Sequence, residues 1–303
     1  MMAATLSPAQ QSAEQRDDYI VAYTQAALRA GDLSAASAMV EQYRKTYGDT
    51  PGAIEAYSWI GRGQLDAGNL EAANENAKQT MALCEAALKT RSLDAEPHLP
   101  LALGAAYEVQ ADVLHLKHEK TQAVALVQSA LKRWAGTSIV PRLRKNLNLL
   151  TIEGRPAPPL VASDWIGARP PTLAALRGKV VIVFFWAHWC PDCRADAPVI
   201  AKLGAEFEPK GLAIIGPTKL YGFAAGGEEA SPAAERQYIQ KVFDRFYARI
   251  PHLFVPVDEE NFDTYGASTT PTIALIDRRG IVRLYHPGAM TEAELRSAIE
   301  KLL

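Results

Sequence analysis

Between about Ala13 and Thr151, apolar positions recur at helical spacing and β-branched clusters are few. Ala, Leu, Glu and Gln dominate this stretch, and all four favour helix. One phrase repeats: Leu28-Arg29-Ala30-Gly31-Asp32-Leu33-Ser34-Ala35-Ala36 returns as Leu65-Asp66-Ala67-Gly68-Asn69-Leu70-Glu71-Ala72-Ala73. Each copy predicts a helix ending at a glycine in the left-handed conformation, followed by Asp or Asn capping the next helix. A looser third copy lies at His118-Glu119-Lys120-Thr121-Gln122-Ala123, before an apolar helix ending near Trp134. The pattern predicts an array of about three α-hairpins, with small alanines letting the paired helices approach closely. The glycine spacing is near that of tetratricopeptide arrays, although the aromatic positions of that repeat match poorly. Such an array is either a plain scaffold or a surface that binds protein or peptide.

The texture changes between Glu153 and Pro171, where Gly and Pro accumulate, marking a domain boundary. Beyond it, Lys179 to Trp186 is a continuous apolar, β-branched and aromatic run, as in a buried parallel strand. Cys193 to Phe207 reads as helix, Gly211 to Gly216 as a short strand, and Glu228 to Ile250 as largely helical. Thr272 to Ile276 and Ile281 to Tyr285 flank the turn Asp277-Arg278-Arg279-Gly280, a hairpin signal. Thr291-Glu292-Ala293-Glu294 forms a capping box that opens a last helix. The order is β-α-β-α-β-β-α, an α/β layer fold. The expected organisation is a flexible segment over 1–12, an all-α helical array over 13–153 and an α/β domain over 154–303.

Composition changes the picture little. At 48% apolar and 22% charged, the 303 residues suit two ordinary globular domains rather than a disordered chain. A formal charge of −2 leaves no basic footprint for nucleic acid or an anionic membrane surface. No apolar run is long enough to span a bilayer. Met1 to Pro8 shows neither a basic n-region nor an apolar h-region, so the chain as written carries no secretory signal. That leaves a cytoplasmic protein or one whose leader has been removed. The 3 cysteines cannot build a disulfide framework.

Two of them carry the candidate chemistry. Trp186-Ala187-His188-Trp189-Cys190-Pro191-Asp192-Cys193-Arg194 follows the buried strand and opens a helix. Unpaired N–H groups and the positive dipole end there stabilise a thiolate. Pro191 suits the first turn, where no N–H is required. Cys193 lies one turn further in, so Cys190 is assigned as nucleophile and Cys193 as the resolving thiol. Asp192 between them opposes the helix terminus by raising the thiol pKa, which predicts a reducing poise. A zinc site would need two more ligands, and no second Cys pair supplies them. Cys84, in an Ala-rich helix, reads as a small buried hydrophobe. His188 reads as an exposed loop residue, and His115 with His118 as ordinary surface histidines.

Residues 154–303 resemble the thioredoxin superfamily, in particular its TlpA/ResA-like reductases. The likeness rests on Leu173 to Lys179, Phe185-Trp186-Ala187, the two cysteines, Pro198, Thr270-Pro271 and Gly288 to Glu292. It implies a thioredoxin-like fold, a cis Pro271 facing the dithiol, and Thr270 offering backbone hydrogen bonds to a bound client strand. The superfamily's buried acid is replaced here by the apolar Phe184. Asp196 instead falls where the TlpA/ResA-like group usually has Glu, on the helix face of Cys193, and is assigned as a proton relay. Ala187 occupies the position where peroxiredoxins carry Thr. The segment from Lys219 to Gly227 is expected to emerge beside Cys190, with Tyr221 and Phe223 either gripping a client or packing inward. Trp189, Pro191, Thr270, Pro271, Tyr221 and Phe223 are thus the expected client contacts.

The resemblance implies a thiol–disulfide oxidoreductase that exchanges electrons between a thiol donor and a protein disulfide, without metal, nucleotide or flavin cofactor. It also implies a periplasmic or otherwise extracytoplasmic location. A second reading, from a different class, is a helical-repeat adaptor whose thioredoxin module only binds.

Overall fold

The helical half closes its hairpins three times with one backbone device. At Gly31, Gly68 and His118, φ is 78°, 79° and 62°. Each of these residues donates its N–H to a carbonyl three residues back. The next residue then reaches five residues back: Asp32 to Ala27, Asn69 to Gln64, and Glu119 to Leu114, at 2.8–2.9 Å. This double closure satisfies the last carbonyls of a helix and requires a left-handed residue. Two copies use glycine; the third uses His118, which is why it looked looser in sequence.

The computed structural model describes residues 12–303. Most of the expected flexible segment therefore lies outside the described residues, while Ser12 itself caps the first helix through a capping box with Gln15. The chain divides into two compact units, one up to Leu143 and one from Arg144. The first contains helices α1 (Ala13–Arg29), α2 (Leu33–Tyr47), α3 (Pro51–Asp66), α4 (Leu70–Ala87), α5 (His98–Leu116) and α6 (Lys120–Arg133). Helix α3 packs against α1, α2, α4 and α5, and α5 packs against α6, so each hairpin lies against the next. One apolar cluster lies among α1, α2 and α3 and another between α4 and α5. Alanines 36, 53, 56, 73, 77, 106 and 123 are buried at these crossings, the close approach expected from small side chains. Asp32 caps α2 by accepting from the Ala35 N–H, as expected. Asn69 makes no side-chain cap to α4; its amide donates to Gln64 instead. Cys84 is fully buried, and burial pushes its thiol up to about 12.

The division falls inside α7 (Val140–Thr151), ahead of the Gly- and Pro-rich stretch that marks the composition change. The second half of α7 belongs to the C-terminal unit, where Asn148 donates to the carbonyl of Thr264. Composition registers flexible backbone, whereas the unit boundary follows packing.

The C-terminal unit is built on a sheet of β2 (Val180–Phe185), β3 (Leu212–Ile215), β5 (Thr272–Ile276) and β6 (Val282–Pro287), in the order β3-β2-β5-β6. Strand β2 runs parallel to β3 and antiparallel to β5. All of β2 is buried because both faces of the sheet are covered. On one face Val180, Ile182 and Phe184 meet α8 (Pro191–Phe207), α9 (Pro232–Phe246) and α11 (Glu292–Glu300). On the other, Val181, Val183 and Phe185 meet Phe262 and Tyr265 of α10 (Glu259–Tyr265). The hairpin at Asp277–Gly280 and the Thr291 capping box are both present.

Three elements escaped the sequence pattern. Strands β1 (Asp164–Ile166) and β4 (Val255–Val257) pair antiparallel over three residues, with Pro256 opposite Trp165. A three-residue strand containing proline has too little periodicity to detect, and proline argues against strand. Helix α10 is only seven residues long. Its signal was present in the cap Asp258 and the terminating Gly266.

Candidate active site

Strand β2 delivers the site. Its buried run continues through Trp186 and Ala187, and Trp186 anchors the strand end by donating its indole N–H to the Gly216 carbonyl at 2.9 Å. The chain then turns into α8, where Cys190 is the N-cap and Pro191 occupies the first turn. Cys190 Sγ accepts the backbone N–H of Cys193 at 3.1 Å. A thiolate there receives both a hydrogen bond and the positive end of a helix of 17 residues. Cys190 and Cys193 are joined as a disulfide, with Cα atoms 5.4 Å apart. Cys193 is fully buried, and Cys190 is only 2% exposed.

The Thr270–Pro271 peptide bond is cis. The Thr270 carbonyl oxygen lies 3.4 Å from Cys190 Sγ, so the loop entering β5 flanks the disulfide. Trp189 stands beside it, 45% exposed, and Asp192 and Pro191 are also exposed. Pro198 lies inside α8, as the resemblance implied.

Asp196 is half-buried one turn after Cys193, and its Oδ2 has no hydrogen-bond partner. Burial, reinforced by the negative charge of Asp192, raises its carboxyl to about 6. An acid near neutrality suits a group that takes and returns a proton. Because the folded value is raised, the neutral acid is the stable form: its contribution is complete below about 3.8 and is lost as pH rises through about 6. In Asp196→Asn the pH dependence of stability over that window should flatten, measured by denaturant unfolding at a series of pH values. The rate of Cys193 attack should also fall about tenfold at neutral pH and lose its inflection near 6, below the usual range for a base in direct contact. Unchanged profiles would remove Asp196 from proton transfer.

The expectation for His188 fails. Its side chain is fully buried, not exposed in a loop. Nε2 lies 3.0 Å from Glu235 of α9, and the ring is enclosed edge-on by Tyr221, Phe223 and Tyr238. Burial lowers its pKa. The local sequence placed His188 on a turn, but covering atoms arrive from an element 47 residues away. Tyr221 and Phe223 are brought to the site, half-buried against His188 rather than standing free. Glu235 is the residue that sequence reading missed. Nothing distinguishes it locally from the other acids of an amphipathic helix.

Residues 154–219 match the AhpC/TSA family. The C-terminal half is a thioredoxin-like domain. It is 26% identical over 149 residues to the thiol-disulfide oxidoreductase ResA of Geobacillus thermodenitrificans, covering 49% of this chain and 77% of the relative. The ResA of Bacillus subtilis is 29% identical over 141 residues, covering 46% and 70%. Among solved structures, a putative thiol:disulfide interchange protein DsbE from Chlorobium tepidum shares 25% identity over 50% of this chain and 96% of its own, with a TM-score of 0.41. The two relatives named as thiol-disulfide oxidoreductases and the AhpC/TSA match all fall in the thioredoxin-like half.

Proposed function

We propose that this protein reduces disulfides of protein clients through Cys190 and Cys193, with the helical unit recruiting the client or the thiol donor. The observation that carries the reading is Cys190 Sγ as the cap of α8, bonded to Cys193 and facing the Thr270 carbonyl. The Cys190 thiolate attacks one sulfur of a client disulfide, forming a mixed disulfide and releasing the other sulfur as a thiolate. Asp196 accepts the proton of Cys193, whose thiolate attacks Cys190 Sγ and expels the second client sulfur. Two electrons have passed to the client, and the Cys190–Cys193 disulfide remains. An external dithiol donor reduces it by the same exchange. The backbone around Thr270 and cis Pro271 holds the client strand during attack, and Trp189 and Pro191 border it.

The TlpA/ResA-like resemblance supports placing this chemistry outside the cytoplasm. No described helix is long and apolar enough to cross a membrane. Removing the resolving thiol tests the mechanism. Cys193→Ser, reduced and mixed with an oxidised protein such as insulin, should accumulate a mixed disulfide on Cys190, seen as a non-reducing gel shift that thiol reverses. An empty trap would overturn the reductase reading and leave the domain as a binding module.

A further inference from the structure

The buried carboxylate of Glu235 joins two pieces of chain that sequence keeps apart. Its side chain is 1% exposed. It accepts backbone N–H groups from Tyr221 at 2.5 Å and Gly222 at 2.8 Å, and it faces His188 Nε2 at 3.0 Å. A carboxylate withdrawn from water is tolerated only with such donors, and each donor would be left unsatisfied without it. One side chain thus ties the segment after β3 to the turn that presents Cys190. The second tie is Arg194 of α8, whose guanidinium donates to the His188 carbonyl at 2.5 Å.

This tie shapes the surface beside the nucleophile. Tyr221 meets the Trp189 ring edge-on, with centroids 5.5 Å apart. Cys190 offers only a sliver of surface between Trp189 and the Thr270 carbonyl. An extended polypeptide must lay the residues flanking its own cysteine against this wall, whereas a small disulfide presents nothing there. We propose that Glu235 and His188 are positioning residues that hold the Tyr221–Trp189 wall in place and so favour protein segments over small disulfides. The proposal rests on the oxidoreductase reading and adds substrate selection to it.

The test compares insulin with 2-hydroxyethyl disulfide as oxidants of the reduced protein. Glu235→Ala should lower kcat/KM for insulin about tenfold, chiefly through KM, and change the rate with the small disulfide less than about twofold. Glu235→Gln, which keeps a carbonyl for one N–H, should fall between Ala and the parent. Trp189→Ala leaves the buried pair intact and should reproduce the insulin loss, which keeps the proposal testable should Glu235→Ala fail to fold. Equal losses on both disulfides, no loss in a folded Glu235→Ala, or an unchanged insulin KM in Trp189→Ala would overturn it. A parent protein inert toward both disulfides would overturn the oxidoreductase reading itself.

Discussion

Cys190→Ser should lower disulfide reduction at least about 1,000-fold in an insulin-turbidity assay at neutral pH. A serine hydroxyl at the same N-cap can accept the Cys193 N–H, so the helix keeps its start. The helix terminus stabilises an anion, but no field of that size ionises a hydroxyl near neutrality. Disulfide exchange requires a sulfur anion as the attacking group. Cys193 cannot take over, because it is fully buried behind the residue it would replace. Stability should change little, leaving chemistry as the cause of the loss. Residual rates equal to the parent would favour the adaptor reading, in which the fold binds without turnover.

Gly266→Ala should destabilise the C-terminal unit by about 3 kcal/mol, read as a lower midpoint in denaturant unfolding. Gly266 ends α10 with φ at 62°, a conformation that costs other L-residues about 1–2 kcal/mol. Space is the larger obstacle. A Cβ would stand 2.3 Å from the backbone nitrogen of Lys145 and 2.6 Å from the carbonyl carbon of Arg144. Backbone cannot swing aside as a flexible side chain can, so α7 or α10 must move. Tyr285 fixes this corner from β6, donating its hydroxyl to the Tyr265 carbonyl at 2.6 Å. A denaturant midpoint equal to the parent's would show that α7 shifts freely.

The legible parts of this protein share a property. The Gly31 and Gly68 turns, Pro191 after a capping cysteine and the Thr291 capping box each depend on a few adjacent residues. The buried strand β2 was readable because both its faces are covered, which leaves no polar position in the run. Asp196 was legible as a neighbour of Cys193 on one helix face, but its raised pKa was not, since burial depends on atoms outside α8. The same limit explains the misreading of His188. A polar residue in a turn is ordinarily solvated; here Glu235 pairs Nε2 and three aromatic rings cover the imidazole, while Nδ1 is buried without a partner.

The amino-acid order alone determined a helical array followed by an α/β unit, and a dithiol at a strand-to-helix turn. Periodicity, turn stereochemistry and helix capping act within a few residues, so they are written in local sequence. The tertiary structure decided that the units divide within α7, that Thr270 flanks the disulfide, and that Glu235 ties the Tyr221 segment to the turn before Cys190. Those outcomes depend on desolvation and on hydrogen bonds between distant segments, which exist only once the chain has closed on itself.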